Sequence, residues 1–135
     1  MSKLIEQLKR HEGFRSKPYK CSEGFTTIGY GVNVDAGIGV NLAELILSHQ
    51  VSTIEHGLNS LSWFGSLNEA RQDVIINMVF NIGYDGFMQF KNTIKYLSEG
   101  YFEAAAKEML DSRWAKQVGS RSIELSEQMR TGEYA

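Results

Sequence analysis

The run from Val74 to Ile82, VIINMVFNI, limits what this chain can become more than any other stretch. Val74, Ile75, Met78, Val79 and Ile82 place apolar side chains on nearly every side of a helix, so that helix needs other elements around it. Asn77 and Asn81 interrupt the run, and it falls well short of the roughly 20 apolar residues that cross a bilayer. The expectation is a buried central helix in a helical body. Asn68 followed by Glu69 marks its start, and Gly83 and Gly86 its end. Around it, Leu4, Ile5 and Leu8 predict a short amphipathic helix over 3–11 that stops at Gly13. Asn41 with Glu44 forms a capping-box start for a helix reaching about Gly57 or Leu61, with Leu42, Leu45, Ile46, His49 and Ile54 on one face. Phe87 to Ser98 and Tyr101 to Asp111 predict two more helices with Gly100 as a left-handed cap between them. Ser120 caps a last helix through about Met129, ended by Thr131–Gly132.

The N-terminal quarter reads differently. In EGFRSKPYKCSEGFTTIGYG, Glu12 to Gly31, the segment Lys20–Cys21 is a short strand, Ser22–Glu23–Gly24 a turn, and Phe25–Ile28 the return strand. Glu12 arrives from the end of the first helix, where the partial negative charge of the helix terminus suits a protonated carboxyl. A carboxyl, a thiol nine residues on at Cys21 and a hydroxyl six further at Thr27 are the minimum parts of a glycosidic-bond-cleaving site. Pleat alternation puts Thr26 and Thr27 on opposite faces, so at most one serves such a site. The glycine-rich run from Gly29 to Val40 suits a flexible loop; it lacks the features of a phosphate-binding loop. His49 and His56, seven apart with no third ligand at a known spacing, read as surface or interface residues, so no metal site is expected.

The spacing Glu, eight residues, Asp or Cys, five residues, Thr, embedded here in HEGFR, YKCSEG and TIGYG, resembles the lysozymes of T-even bacteriophages, glycoside hydrolase family 24. INMVFNIG at Ile76 to Gly83, SRWAKQ at Ser112 to Gln117 and RTGEY near the end extend the resemblance from Leu4 to Tyr134. It implies an α+β, mostly helical, two-lobed lysozyme-like fold in a single domain over 1–135. A small β-hairpin lobe (about 12–57) and a larger helical lobe (about 58–135 plus the N-terminal helix) would flank a cleft. Family members carry a longer insertion in the small lobe, so that lobe should be trimmed here. The implied activity is that of an endolysin hydrolysing β-1,4 bonds between N-acetylmuramic acid and N-acetylglucosamine in peptidoglycan, for host cell lysis and without a cofactor.

In that reading Glu12 is the general acid, Cys21 stands where the best-known members have aspartate, and Thr27 holds the attacking water. A free thiol titrates near about 8.5 and is only a few per cent thiolate at neutral pH, whereas aspartate is almost wholly ionised. Thiolate base, covalent nucleophile and neutral water-positioner therefore remain open for Cys21, beside plain packing. The resemblance assigns sugar binding to Asn33, Phe80, Asn81, Thr93 and Arg121, with Arg121 orienting the acid. Glu108 replaces an amide at a further contact position, while Trp63 and Trp114 read as packing residues.

At 135 residues, 42% apolar and 22% charged, the chain can bury a core, and a net charge of −2 gives no basic field for nucleic acid. Its single cysteine forms no internal bridge. MSKLIEQLKRHEG has no continuous apolar run and is not a secretory signal. The expected setting is the host cytoplasm before lysis, then the periplasm and wall. Release would depend on a separate membrane-permeabilising holin, and the enzyme would be a monomer acting on glycan strands without stable membrane insertion. Two rivals stand: a lytic transglycosylase, which needs one acid and releases 1,6-anhydro sugars, and a non-catalytic wall-binding phage structural domain.

Overall fold

The computed structural model describes residues 2–135 and shows a mostly helical α+β protein. It divides into two compact units, one ending at Ile46 and the other spanning Leu47–Ala135. In the first unit, helix α1 (Lys3–Glu12) starts at Ser2, whose hydroxyl accepts the Ile5 N–H at 3.1 Å. It stops at Gly13, which takes a φ of 72° and returns its N–H to the Lys9 carbonyl.

Strands β1 (Arg15–Lys20), β2 (Thr26–Gly29) and β3 (Val32–Asn33) then form an antiparallel sheet in that order. Tyr19 opposes Thr27 and Lys20 opposes Thr26, but the register shifts before Arg15 meets Gly29. Pro18 lies inside the irregular stretch, where its missing N–H breaks the ladder. β3 and the 3-10 turn Val34–Ala36 occupy the run expected to be a flexible loop. Gly31, at a φ of 93°, closes the β2–β3 turn, a conformation that side-chain-bearing residues avoid.

Helix α2 (Val40–Leu58) contains the division between the units. It begins one residue before Asn41, with the Gly39 carbonyl accepting the Ala43 N–H, so Asn41 lies inside the helix and is not its cap.

The second unit holds α3 (Glu69–Met88), α4 (Lys91–Glu99), α5 (Phe102–Leu110), α6 (Arg113–Val118) and α7 (Ser120–Thr131). Asn68 caps α3 through the Arg71 N–H, as its sequence position predicts. Val74, Ile75, Met78 and Val79 are buried, the expected centre of the body. Gly83 (φ 82°, ψ 162°) kinks α3 without ending it, and the helix resumes to Met88. The reason is packing: Phe87 is fully buried, stacks on Phe90 at 6.2 Å and leans on Trp63 at 6.3 Å, which holds the second segment in place. α4 therefore starts only at Lys91, and Gly100 ends it in the left-handed conformation. Ser112 caps α6, a helix the sequence reading did not separate.

The end of α7 is fastened to the start of α3. Arg71 donates from Nε to the Met129 carbonyl (2.8 Å) and from Nη2 to that of Arg130 (3.0 Å). Its guanidinium lies 3.7 Å from the centre of the Phe102 ring. Asn68 Nδ2 donates to the Gly132 carbonyl, and the Tyr134 hydroxyl to the Asp73 carboxylate. That last bond pushes the Tyr134 phenol up to about 12.

Candidate active site

Within the first unit, Glu12 is the last residue of α1 and is exposed. A methyl group on Gly31 would sit 3.3 Å from its Oε2, so the absence of a side chain there lets the carboxylate lie against the β2–β3 turn. Glu12, Gly31 and Tyr30 line a cavity of about 370 Å³ with Ile5, Leu8 and Lys9.

Cys21 sits at the corner of the β1–β2 hairpin, half-buried and unbridged. Its N–H donates to the Phe25 carbonyl and its carbonyl accepts the Gly24 N–H, both at 2.9 Å, which fixes the turn. Hydrogen bonds from the backbone N–H of Glu23, then Phe25, hold the thiol below its ordinary value, and the Thr27 hydroxyl adds to them. Burial and the nearby Glu23 carboxylate act in the opposite direction.

Thr27 opposes Tyr19 on one side and Asn33 on the other, and it is the buried threonine of the pair. Its hydroxyl donates to the Phe25 carbonyl at 3.2 Å. Thr26 points elsewhere, with its Oγ1 accepting from Lys20 Nζ at 2.9 Å, so alternation separates the two as expected. Asn33 spends its Oδ1 as the cap of the 3-10 turn, accepting the Ala36 N–H at 3.2 Å, which leaves its Nδ2 for a ligand. The structure thus brings Cys21 and Thr27 together, and sets Glu12 against the turn that leads from Thr27's strand to Asn33's.

The remaining candidates belong to the second unit. Phe80 is 44% exposed, too open for a core residue, and lines two cavities. One, of about 440 Å³, is shared with His49 and Gln50; the other, of about 310 Å³, with Asp73, Asn77 and Arg121. Arg121 donates from Nε (3.0 Å) and Nη2 (2.6 Å) to Asn77 Oδ1, which clamps the guanidinium. Asn81 accepts from Trp114 Nε1 at 2.8 Å. Trp114 is buried, in keeping with a packing role, while Trp63 is half-buried against the core. Thr93 is buried and lines a cavity of about 270 Å³ with Phe90, Glu108 and Trp114.

Sequence reasoning missed Gly31 as the seat of the acid and Asn77 as the clamp on Arg121. The positive φ of Gly31 could have been read from the short TIGYGVN turn; the Asn77 contact spans 44 residues and leaves no local signal. Among the described residues no group of three or more His, Cys, Asp or Glu could hold a metal ion, and no helix is long and apolar enough to cross a membrane.

The phage lysozyme family model matches residues 9–130, a span that includes Glu12, Cys21, Thr27 and Arg121. The chain belongs to the phage lysozyme family. Family members of this kind are glycosidase-type enzymes. A probable T4-type lysozyme of Dictyostelium discoideum is 28% identical over 163 residues, covering 98% of this chain and 96% of that protein. That alignment is longer than the 135 residues of this chain, so the relative carries extra residues within it. The endolysin of Acyrthosiphon pisum secondary endosymbiont phage 1 is 32% identical over 85% of this chain and 80% of its own. The endolysin of Salmonella phage P22 is 30% identical over 78% and 77%.

Proposed function

We propose that this phage lysozyme hydrolyses the β-1,4 bond between N-acetylmuramic acid and N-acetylglucosamine in peptidoglycan, and so lyses the host cell. The observation that carries the reading is the hairpin corner, where Cys21 and Thr27, at the family's motif positions, are both tied to the Phe25 carbonyl. In the proposed reaction the Glu12 carboxylic acid gives its proton to the departing glycosidic oxygen as the C–O bond breaks. A water held by Thr27 attacks the oxocarbenium-like anomeric carbon while the Cys21 thiolate accepts that water's proton. The products are a reducing sugar and an alcohol. Proton return from thiol to carboxylate through solvent restores the site. Backbone donors at the corner lower the thiol pKa and so favour the thiolate, the form that can serve as base.

Asn33, Phe80, Asn81, Thr93 and Arg121 are proposed sugar contacts. Phe80 offers an open aromatic face, Asn33 an amide donor, and Arg121 a guanidinium immobilised by Asn77. Release of the enzyme to the wall by a holin, and action as a monomer, belong to the same proposal.

Muropeptide release from purified peptidoglycan by wild type, Cys21→Ala and Cys21→Asp provides the test. Cys21→Ala should lose at least about a hundredfold, the range general-base catalysis supplies, and Cys21→Asp should retain activity. Normal turnover by Cys21→Ala would remove sulfur from the chemistry.

A further inference from the structure

The β3 strand is two residues long, and what happens at its end bears on the thiol. In the β2–β3 pairing, Thr27 opposes Asn33 and Ile28 opposes Val32. One more step of that register would set Val34 against Thr26, but Val34 instead opens the 3-10 turn that Asn33 caps. The chain leaves the sheet, and the N–H of Thr26 loses the strand carbonyl that would have received it. The Asp35 carboxylate takes that place: Thr26 N–H donates to Asp35 Oδ2 at 2.9 Å. On its other side the Thr26 hydroxyl accepts from Lys20 Nζ at 2.9 Å. Thr26 is therefore held by an anionic group from the 3-10 turn and a cationic group from β1.

Thr26 is also the residue between two that fix the hairpin corner. The Phe25 carbonyl accepts both the Cys21 N–H at 2.9 Å and the Thr27 hydroxyl at 3.2 Å. A strand start that frayed at Thr26 would loosen both bonds together.

We propose that Asp35 is a positioning residue for the thiol site: by receiving the Thr26 N–H it keeps the Phe25 carbonyl on the Cys21 N–H and on the Thr27 hydroxyl. It acts through Thr26 and does not touch the thiol. Because β3 ends at Asn33, one side chain replaces the stretch of strand that would otherwise pin β2. The functional weight of the inference rests on the proposed role of Cys21 as a thiolate, but the geometric claim does not.

The test reads the thiol directly. The rate of Cys21 alkylation by iodoacetamide is followed against pH for wild type, Asp35→Asn and Asp35→Ala, with melting temperature and muropeptide release measured alongside. Asn keeps an oxygen that can accept the Thr26 N–H, so Asp35→Asn should titrate like wild type. Asp35→Ala should move the alkylation midpoint upward by about half a pH unit or more and slow release several-fold. If Asp35→Ala does not fold, Asp35→Leu, which likewise offers no acceptor, is read the same way. An unshifted midpoint in the Ala or Leu protein would overturn the proposal, even with a lowered melting temperature, because support of the fold alone does not move the thiol. An Asn protein shifted as far as the Ala protein would overturn it too, by showing that charge and not the hydrogen bond is at work. Should Cys21→Ala release muropeptides normally, the thiolate mechanism fails while the alkylation result still decides the role of Asp35.

Discussion

Each of the two units is stabilised internally by a different kind of interaction. Every buried hydrophobic side chain among the described residues lies between Leu58 and Met129, in the second unit. In the first unit Thr27 is the one buried residue among those described, and Leu4, Ile5, Leu8, Phe14 and Tyr30 are all exposed. Its geometry is set by individual polar contacts instead: Ser2 and Gly13 at the ends of α1, Asp35 on Thr26, and the Cys21–Phe25 turn. Apolar packing is non-directional and tolerant of small shifts, whereas a hydrogen bond fixes distance and angle. The division of labour is physical. Stability is concentrated in the helical unit, and the placement of the candidate acid and thiol in the sheet unit.

That contrast can be broken by mutation. Phe87→Ala should cost the most, roughly 3–5 kcal/mol, since it empties a fully buried site that also anchors the second half of α3. Ile5→Ala, on an exposed face, should stay within about 0.5 kcal/mol in the same denaturant titration; equal losses from the two would erase the distinction. Gly132→Ala comes next at about 1–3 kcal/mol. Its φ of 75° resists a side chain, and the added methyl would lie 2.9 Å from Arg71 Cζ, in the fastening between α3 and α7.

Gly31→Ala should invert the pattern, with a modest loss of stability and roughly a tenfold fall in muropeptide release, a barrier change of about 1.4 kcal/mol. The new methyl meets Glu12 Oε2 and displaces the acid. Unchanged kcat would show that the carboxylate needs no such seat. The smallest effect belongs to Tyr134→Phe. The Asp73 bond raises the folded phenol to about 12 from an ordinary value of 10.0. Stability from this contact is therefore complete below pH 10 and disappears as pH climbs through about 12. The melting-temperature gap between wild type and Tyr134→Phe should accordingly close over that interval; a gap that persisted would separate the phenol from the effect.

Much of the fold was legible because local signals and packing agreed. Asn68 has the residue type and place of a helix cap, Gly100 and Gly132 those of left-handed stops, and the Val74–Val79 run could only be central. Reading failed where a distant contact overrode a local one. Gly83 carries a stop signal, but burial of Phe87 against Trp63 and Phe90 continues the helix past it. The glycine-rich run after Gly29 suggests a loop, yet Asp35 reaching back nine residues to Thr26 orders it as strand and 3-10 turn. The site divides in the same way. Glu12, Cys21 and Thr27 were visible as a spaced motif; the groups that hold candidate side chains in place, Gly31, Asp35 and Asn77, were not, because their partners lie far along the chain.

Digestion of purified peptidoglycan in ¹⁸O-labelled water addresses the central claim most directly. Wild type should release fragments whose new reducing ends each carry one heavy oxygen, and Glu12→Gln, folded to the same melting temperature, should release none. Label-free 1,6-anhydro ends, or equal release by the Glu12→Gln protein, would contradict an acid-catalysed hydrolysis begun by Glu12.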